Sequence, residues 1–127
     1  MTKYQTIYQE FGEAVQHLDD ALRQEKTEYM RDSSIKRFEL AFDLAWKTMK
    51  AWLEEKGGVC ASPLDCFRET YRIGLGEYTD AWRDIVKIRN KTVHTYDEDL
   101  AEEIYRKLPN IVEQLRKLHE AFAQHPI

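Results

Sequence analysis

Seven apolar residues in the last third of the chain, Leu100, Ile104, Leu108, Ile111, Leu115, Leu118 and Phe122, recur at intervals of three and four. A strand alternates its faces every second residue, so this run can bury one side only as an α-helix. Acidic residues crowd its start at Asp97, where the helix dipole favours them. Glu102–Arg106 and Glu103–Lys107 are spaced for i,i+4 ion pairs. Pro109 interrupts the pattern and predicts a kink or a break.

The same period appears upstream. Ile7, Phe11, Ala14, Val15, Leu18, Ala21 and Leu22 predict a helix from about Lys3 to Gln24. Phe38, Phe42, Ala45, Met49 and Trp52, widened by Ala41, Leu44 and Leu53, predict a second from about Ser34 to Lys56. Ser33 or Ser34 would cap it, and Gly57-Gly58 would end it. Ser62-Pro63 opens a third segment that closes near Gly74 or Gly76. A fourth starts near Thr79 or Asp80 and carries Trp82, Ile85, Val86 and Ile88. No stretch reads as a strand. Short loops between amphipathic helices imply a single all-α domain over 1–127, an antiparallel up-and-down bundle of four to five helices. At 127 residues the chain can bury a core without cross-links.

A net charge of −4 argues against nucleic-acid binding by bulk charge. The charge is uneven, however. Residues 83–96 hold Arg83, Lys87, Arg89 and Lys91 against Asp84 alone, whereas 97–103 hold five acids and no base. Cys60 and Cys66 match no common zinc spacing and read as two reduced thiols. The first residues lack the apolar stretch of a secretory signal, and no apolar run is long enough to span a bilayer. A cytoplasmic protein without a membrane partner is expected.

Chemistry concentrates in Arg89-Asn90-Lys91-Thr92-Val93-His94-Thr95-Tyr96. Arg offers a planar fork of donors for phosphate. His can exchange protons near neutral pH. Arg89 and His94 are five residues apart, about 140° around a regular helix, so they converge best where the helix loosens before His94. A break near Thr95-Tyr96 is expected from the acidic helix start that follows. In that geometry His94 could take a proton from an RNA 2′-hydroxyl, which attacks the adjacent phosphate. Arg89 could hold the phosphate and Asn90 could orient it or His94. A purely structural reading competes with this one: Arg at a helix C-terminus suits the dipole, His satisfies loose carbonyls, and Tyr96 packs.

Other candidates are weaker. Glu39 and Asp43 form an i,i+4 acid pair expected on a solvated face, with Arg37, Lys47 and Lys50 on exposed flanks. His17, His119 and His125 have no metal-like spacing, so no metal is expected. No glycine-rich phosphate loop is present, and no cofactor is expected.

Arg89, four residues, His94, one residue, Tyr96 resembles the R-x4-H-x-Y signature of HEPN-domain proteins. Arg37-Phe38-Glu39 with Leu44, Trp46-Lys47 and Gly57, then Ser62-Pro63, then Trp82 ahead of Arg89-Asn90, resembles the nucleotidyltransferase substrate-binding protein family over essentially the whole chain. Ile88 stands where many members carry an acid, and Val93 replaces a small polar residue before the His. An apolar neighbourhood there would desolvate His94 or mark faded catalysis.

The resemblance implies a helical bundle, a homodimer, and a minimal nucleotidyltransferase encoded nearby as partner. In related toxin–antitoxin pairs of HepT-like type the HEPN member is a metal-independent ribonuclease, silenced when the nucleotidyltransferase adds AMP to the motif tyrosine. Carried over, Arg89 and His94 are the catalytic pair, Asn90 supports them, and Tyr96 accepts AMP. Two functions follow. One is a partner- or substrate-binding subunit of a two-component nucleotidyltransferase system. The other is an endoribonuclease toxin acting on RNA.

Overall fold

The computed structural model describes all residues, 1–127. Five α-helices account for the fold and no strand forms: α1 (Lys3–Leu22), α2 (Glu28–Glu55), α3 (Pro63–Thr70), α4 (Ala81–Lys91) and α5 (Glu98–Gln124). A π-helical turn, Tyr71–Leu75, extends α3, and a 3-10 turn, Thr92–His94, extends α4. The expected all-α bundle is therefore what the chain forms.

α1, α2 and α5 pack on one another as the body, and α3 and α4 lie against α2. The body is filled by fully enclosed rings and aliphatics, among them Phe11, Leu18, Phe38, Met49, Trp52, Leu108, Leu115 and Phe122. Burying such side chains contributes about 1.5–3 kcal/mol each, which drives the assembly. Phe42 meets Phe67, and Phe67 stacks on Trp82 with centroids 4.3 Å apart. That aromatic chain carries the packing from α2 through α3 to α4. The Trp82 identified in the sequence is thus core, and it sets where α4 lies.

Capping residues explain the helix limits. Thr2 and Gln5 form a reciprocal capping box on α1. Ser62 accepts from the Asp65 amide, with Pro63 at the first helical position. Asp97 accepts from the Leu100 amide at the start of α5. α2 begins earlier than its apolar stripe predicts. Thr27, not Ser33 or Ser34, caps it by accepting from the Met30 amide at 3.0 Å. Ser34 instead lies inside the helix, where its hydroxyl donates to the Met30 carbonyl at 2.7 Å. At the other end the Gly58 amide reaches the Leu53 carbonyl and the Gly57 amide the Glu54 carbonyl. This pattern turns the chain out of the helix at Gly57, whose φ of 80° favours glycine.

α5 runs unbroken through Pro109. Pro109 lies on the exposed side of the helix, and having no N–H it leaves the Tyr105 carbonyl without its helical donor. Cys60 and Cys66 form a disulfide rather than two free thiols. The α2–α3 loop folds Cys60 back onto buried Cys66, bringing the Cα atoms within 5.0 Å, a proximity that spacing along the chain does not reveal. The Trp46 indole also donates to the Cys66 sulfur at 3.2 Å.

Candidate functional site

The turn between α4 and α5 presents the motif, and α2 holds it from both sides. Arg89, near the end of α4, points back at α2. Its guanidinium lies 3.4 Å from Glu39 and 3.4 Å from Asp43. The same group donates to the Thr92 hydroxyl at 2.9 Å, and that hydroxyl donates to the Arg89 carbonyl at 2.7 Å. Thr92 is buried, so this loop of bonds fixes the end of the helix. Glu39 and half-exposed Asp43 are therefore more than a solvated face: they are the countercharges of the motif arginine. Ile88 leaves no acid next to Arg89 in the sequence, and α2 supplies two across the helix interface.

On the other side of the turn, Arg31 of α2 reaches the start of α5. Its guanidinium meets Glu98 at 2.8 Å and Glu102 at 3.0 Å, and Asp32 at 3.0 Å. The Glu98 hydrogen bond leads the interactions that hold Arg31 firmly protonated, although it is buried. Glu102 also pairs with Lys26, and the two cations, Lys26 first, hold its carboxyl below the usual range. Glu102 thus turns to α2, and the expected Glu102–Arg106 pair does not form, whereas Glu103–Lys107 does at 3.2 Å.

Between these two anchors the α-helix tightens into a 3-10 turn, Thr92–His94, rather than loosening, and leaves helical geometry at Thr95. His94 and Tyr96 both face solvent. His94 Nδ1 lies 3.2 Å from the Tyr96 hydroxyl, and the rings meet edge to face. Tyr96 is 82% exposed and Val93 65%. Val93 therefore does not enclose His94 in apolar surroundings.

The structure brings His94 to Tyr96 and Arg89 to Glu39, Asp43 and Thr92, but it does not join the two groups within one chain. The 3-10 turn does not bond His94 to Arg89, whose guanidinium is taken by α2 and Thr92. Asn90 is exposed and contacts neither by a hydrogen bond. The acid pair on α2 was visible as an i,i+4 repeat; the missing acid at position 88 was the signal that could have assigned it to Arg89.

Outside the turn, His119 of α5 stacks on Tyr8 of α1 at 4.2 Å, and its Nε2 lies 3.3 Å from the Tyr8 carbonyl. Burial lowers its pKa. Gly12 allows this approach, since a Cβ there would come within 2.7 Å of the ring. His125 lies 2.9 Å from the Ala121 carbonyl, and His17 is exposed. No three His, Cys, Asp or Glu side chains are grouped to hold a metal ion, and no helix is long and apolar enough to cross a membrane.

Residues 2–124 match a family model described as "Nucleotidyltransferase substrate binding protein like". A crystal structure of a protein from Thermus thermophilus is 32% identical, with a TM-score of 0.74, over 91% of this chain and 97% of that one. No curated protein matches the chain at a significant level.

Proposed function

The chain belongs to the nucleotidyltransferase substrate binding protein like family, and from that premise we propose that it is the partner subunit of a two-component minimal nucleotidyltransferase system of toxin–antitoxin type. The family match across residues 2–124 carries this reading. The turn supports it. Tyr96 stands at the apex between two anchored helices, exposed enough for another protein to reach its hydroxyl. AMP transfer would form an ester between that phenol oxygen and the α-phosphorus of ATP, with pyrophosphate leaving and the phenol proton lost. His94, 3.2 Å away, is placed to receive that proton.

A homodimer fits the same face. Leu40, beside Glu39 on α2, and Val93, one turn beyond Arg89, are exposed apolar residues near the Arg89 cluster in sequence. Covering them with a second copy would bring two turns together.

The test is to mix purified protein with the nucleotidyltransferase encoded beside it, at micromolar concentration with ATP and Mg²⁺. A co-eluting complex is expected, together with a mass gain of one AMP that Tyr96→Phe abolishes. Separate elution would refute the partner reading, and AMP found on another residue would refute Tyr96 as acceptor.

The His94–Tyr96 contact also favours a second reading, a metal-independent endoribonuclease. If Nδ1–H donates to the phenol, Nε2 keeps its lone pair and faces solvent, as a general base requires. It would take the 2′-hydroxyl proton of RNA; the oxygen would attack the adjacent phosphorus, and the 5′-oxygen would leave, taking a proton from water. The product carries a 2′,3′-cyclic phosphate. Arg89 would need to exchange a carboxylate of Glu39 or Asp43 for the phosphate. Incubation with RNA in EDTA should give cyclic-phosphate ends with unmodified wild type and none with His94→Ala. Intact RNA with folded, AMP-free wild type would eliminate this activity.

A further inference from the structure

α4 and α5 are joined by a short turn, yet they stand apart along most of their length. The gap is a groove of about 520 Å³. Its rim carries Lys87 and Lys91 from α4, one helical turn apart, and Arg106 and Lys107 from α5. Lys107 has Glu103 as its countercharge. Lys87, Lys91 and Arg106 have none: Glu102, which the spacing offers to Arg106, is held by Arg31 and Lys26 instead. Three unpaired cations thus line one groove of a chain whose net charge is −4. Below the rim, the floor is the edges of Ile85, Ile88 and Ile111.

We propose that this groove seats an acidic segment of the nucleotidyltransferase, a docking site that rests on the partner-binding reading above. Charge complementarity selects the occupant: a strand or helix edge carrying carboxylates toward Lys87, Lys91 and Arg106, with an aliphatic side chain on the isoleucine floor. The lining argues for protein over RNA. No aromatic ring faces the groove, so unpaired bases would find no stacking platform. Asp84 stands in the α4 wall, where it can accept from a peptide amide or side-chain donor. Asn110 adds an amide that can pair with a peptide backbone. The groove also opens at the Lys91 end of α4, five residues before Tyr96, so a partner seated there is held beside the turn it would modify.

The test uses the full chain and the neighbouring nucleotidyltransferase. Binding is measured by titration calorimetry at low and moderate salt for wild type, Lys87→Glu/Lys91→Glu, Arg106→Glu, and the neutral Lys87→Gln/Lys91→Gln. Helix content and melting temperature are checked for each, and binding to a short RNA oligonucleotide is measured alongside. Wild type should bind with an affinity that falls as salt rises. Charge reversal should weaken binding at least tenfold, and the glutamine variant, which leaves the fold least disturbed, several-fold. Equal binding by folded variants would overturn the groove while leaving the partner reading intact. No binding by wild type would overturn both. Loss of RNA binding with unchanged partner binding would reassign the groove to nucleic acid and overturn the proposal.

Discussion

Two arginines brace the α4–α5 turn, and they are braced differently. Arg31 is 4% exposed, and three carboxylates surround it at 2.8–3.0 Å. Arg89 is 22% exposed, and its two carboxylates lie at 3.4 Å. Each guanidinium has one buried nitrogen without a well-angled acceptor, Nη2 in Arg31 and Nε in Arg89. The Arg31 nitrogen still lies 3.0 Å from the Asp32 carboxylate, whereas the Arg89 nitrogen has no carboxylate that close. The first arrangement has short, charge-assisted contacts from an enclosed guanidinium, as a structural tie between α2 and α5 requires. The second is longer and more open. An arginine held in that way keeps the capacity to change partners. The difference separates a residue that fixes the start of α5 from one that is available to a ligand, although both join α2 to the same turn.

Stability should divide the two most clearly. Arg31→Ala should lower unfolding free energy by about 2–3 kcal/mol, because it removes several hydrogen bonds to charged groups and the packing of a buried stem. Arg89→Ala should cost under about 1 kcal/mol, the range of a partly exposed pair. Urea denaturation monitored by helix content would measure both, and equal losses would break the distinction. Next in size is the effect of releasing Arg89. Glu39→Gln/Asp43→Asn should strengthen binding of a short RNA oligonucleotide by at least about fivefold at low salt, since a unit charge at 4 Å in water is worth about 1 kcal/mol. Screening by salt should shrink the gain. An unchanged affinity would show that Arg89 does not meet phosphate.

The smallest effect is expected far from the turn, at His119. Burial holds its pKa below the ordinary value of 6.5, so the native state takes up a proton less readily than the unfolded chain. Stability should therefore be complete above that value and decline as pH falls through the lowered native one. His119→Gln should flatten this part of the profile. Urea midpoints measured from neutral pH downward would check it. Partner and RNA binding by the variant should match wild type, which keeps the body of the bundle distinct from its turn.

The helices were legible because their signals are local. Ser62-Pro63 and Asp97 mark true starts, Gly57 marks a true end, and the threes and fours of α5 all face the core. The start of α2 is hidden because Thr27 precedes a stretch, Glu28 to Ser33, whose adjacent Tyr29 and Met30 set no helical period. The motif residues were visible, but their partners were not. Glu39 and Asp43 lie far from Arg89 along the chain and meet it only after Phe42, Phe67 and Trp82 have packed α4 beside α2. Spacing offers Glu102 to Arg106, yet buried Arg31 takes it. An enclosed guanidinium has fewer alternatives than a surface one, so tertiary demand overrides the i,i+4 pattern. The disulfide escapes the sequence for the same reason: spacing says nothing of a loop that folds back.

The indole of Trp46 lies against the sulfur of Cys66. A disulfide in contact with an excited indole accepts an electron and quenches its light, while Trp52 donates instead to the His125 carbonyl and Trp82 stacks on Phe67. The chain therefore carries its own optical gauge. Emission should brighten when a reductant opens Cys60–Cys66, and Trp46→Phe should remove that change, reporting the redox state of the α2–α3 loop without any added label.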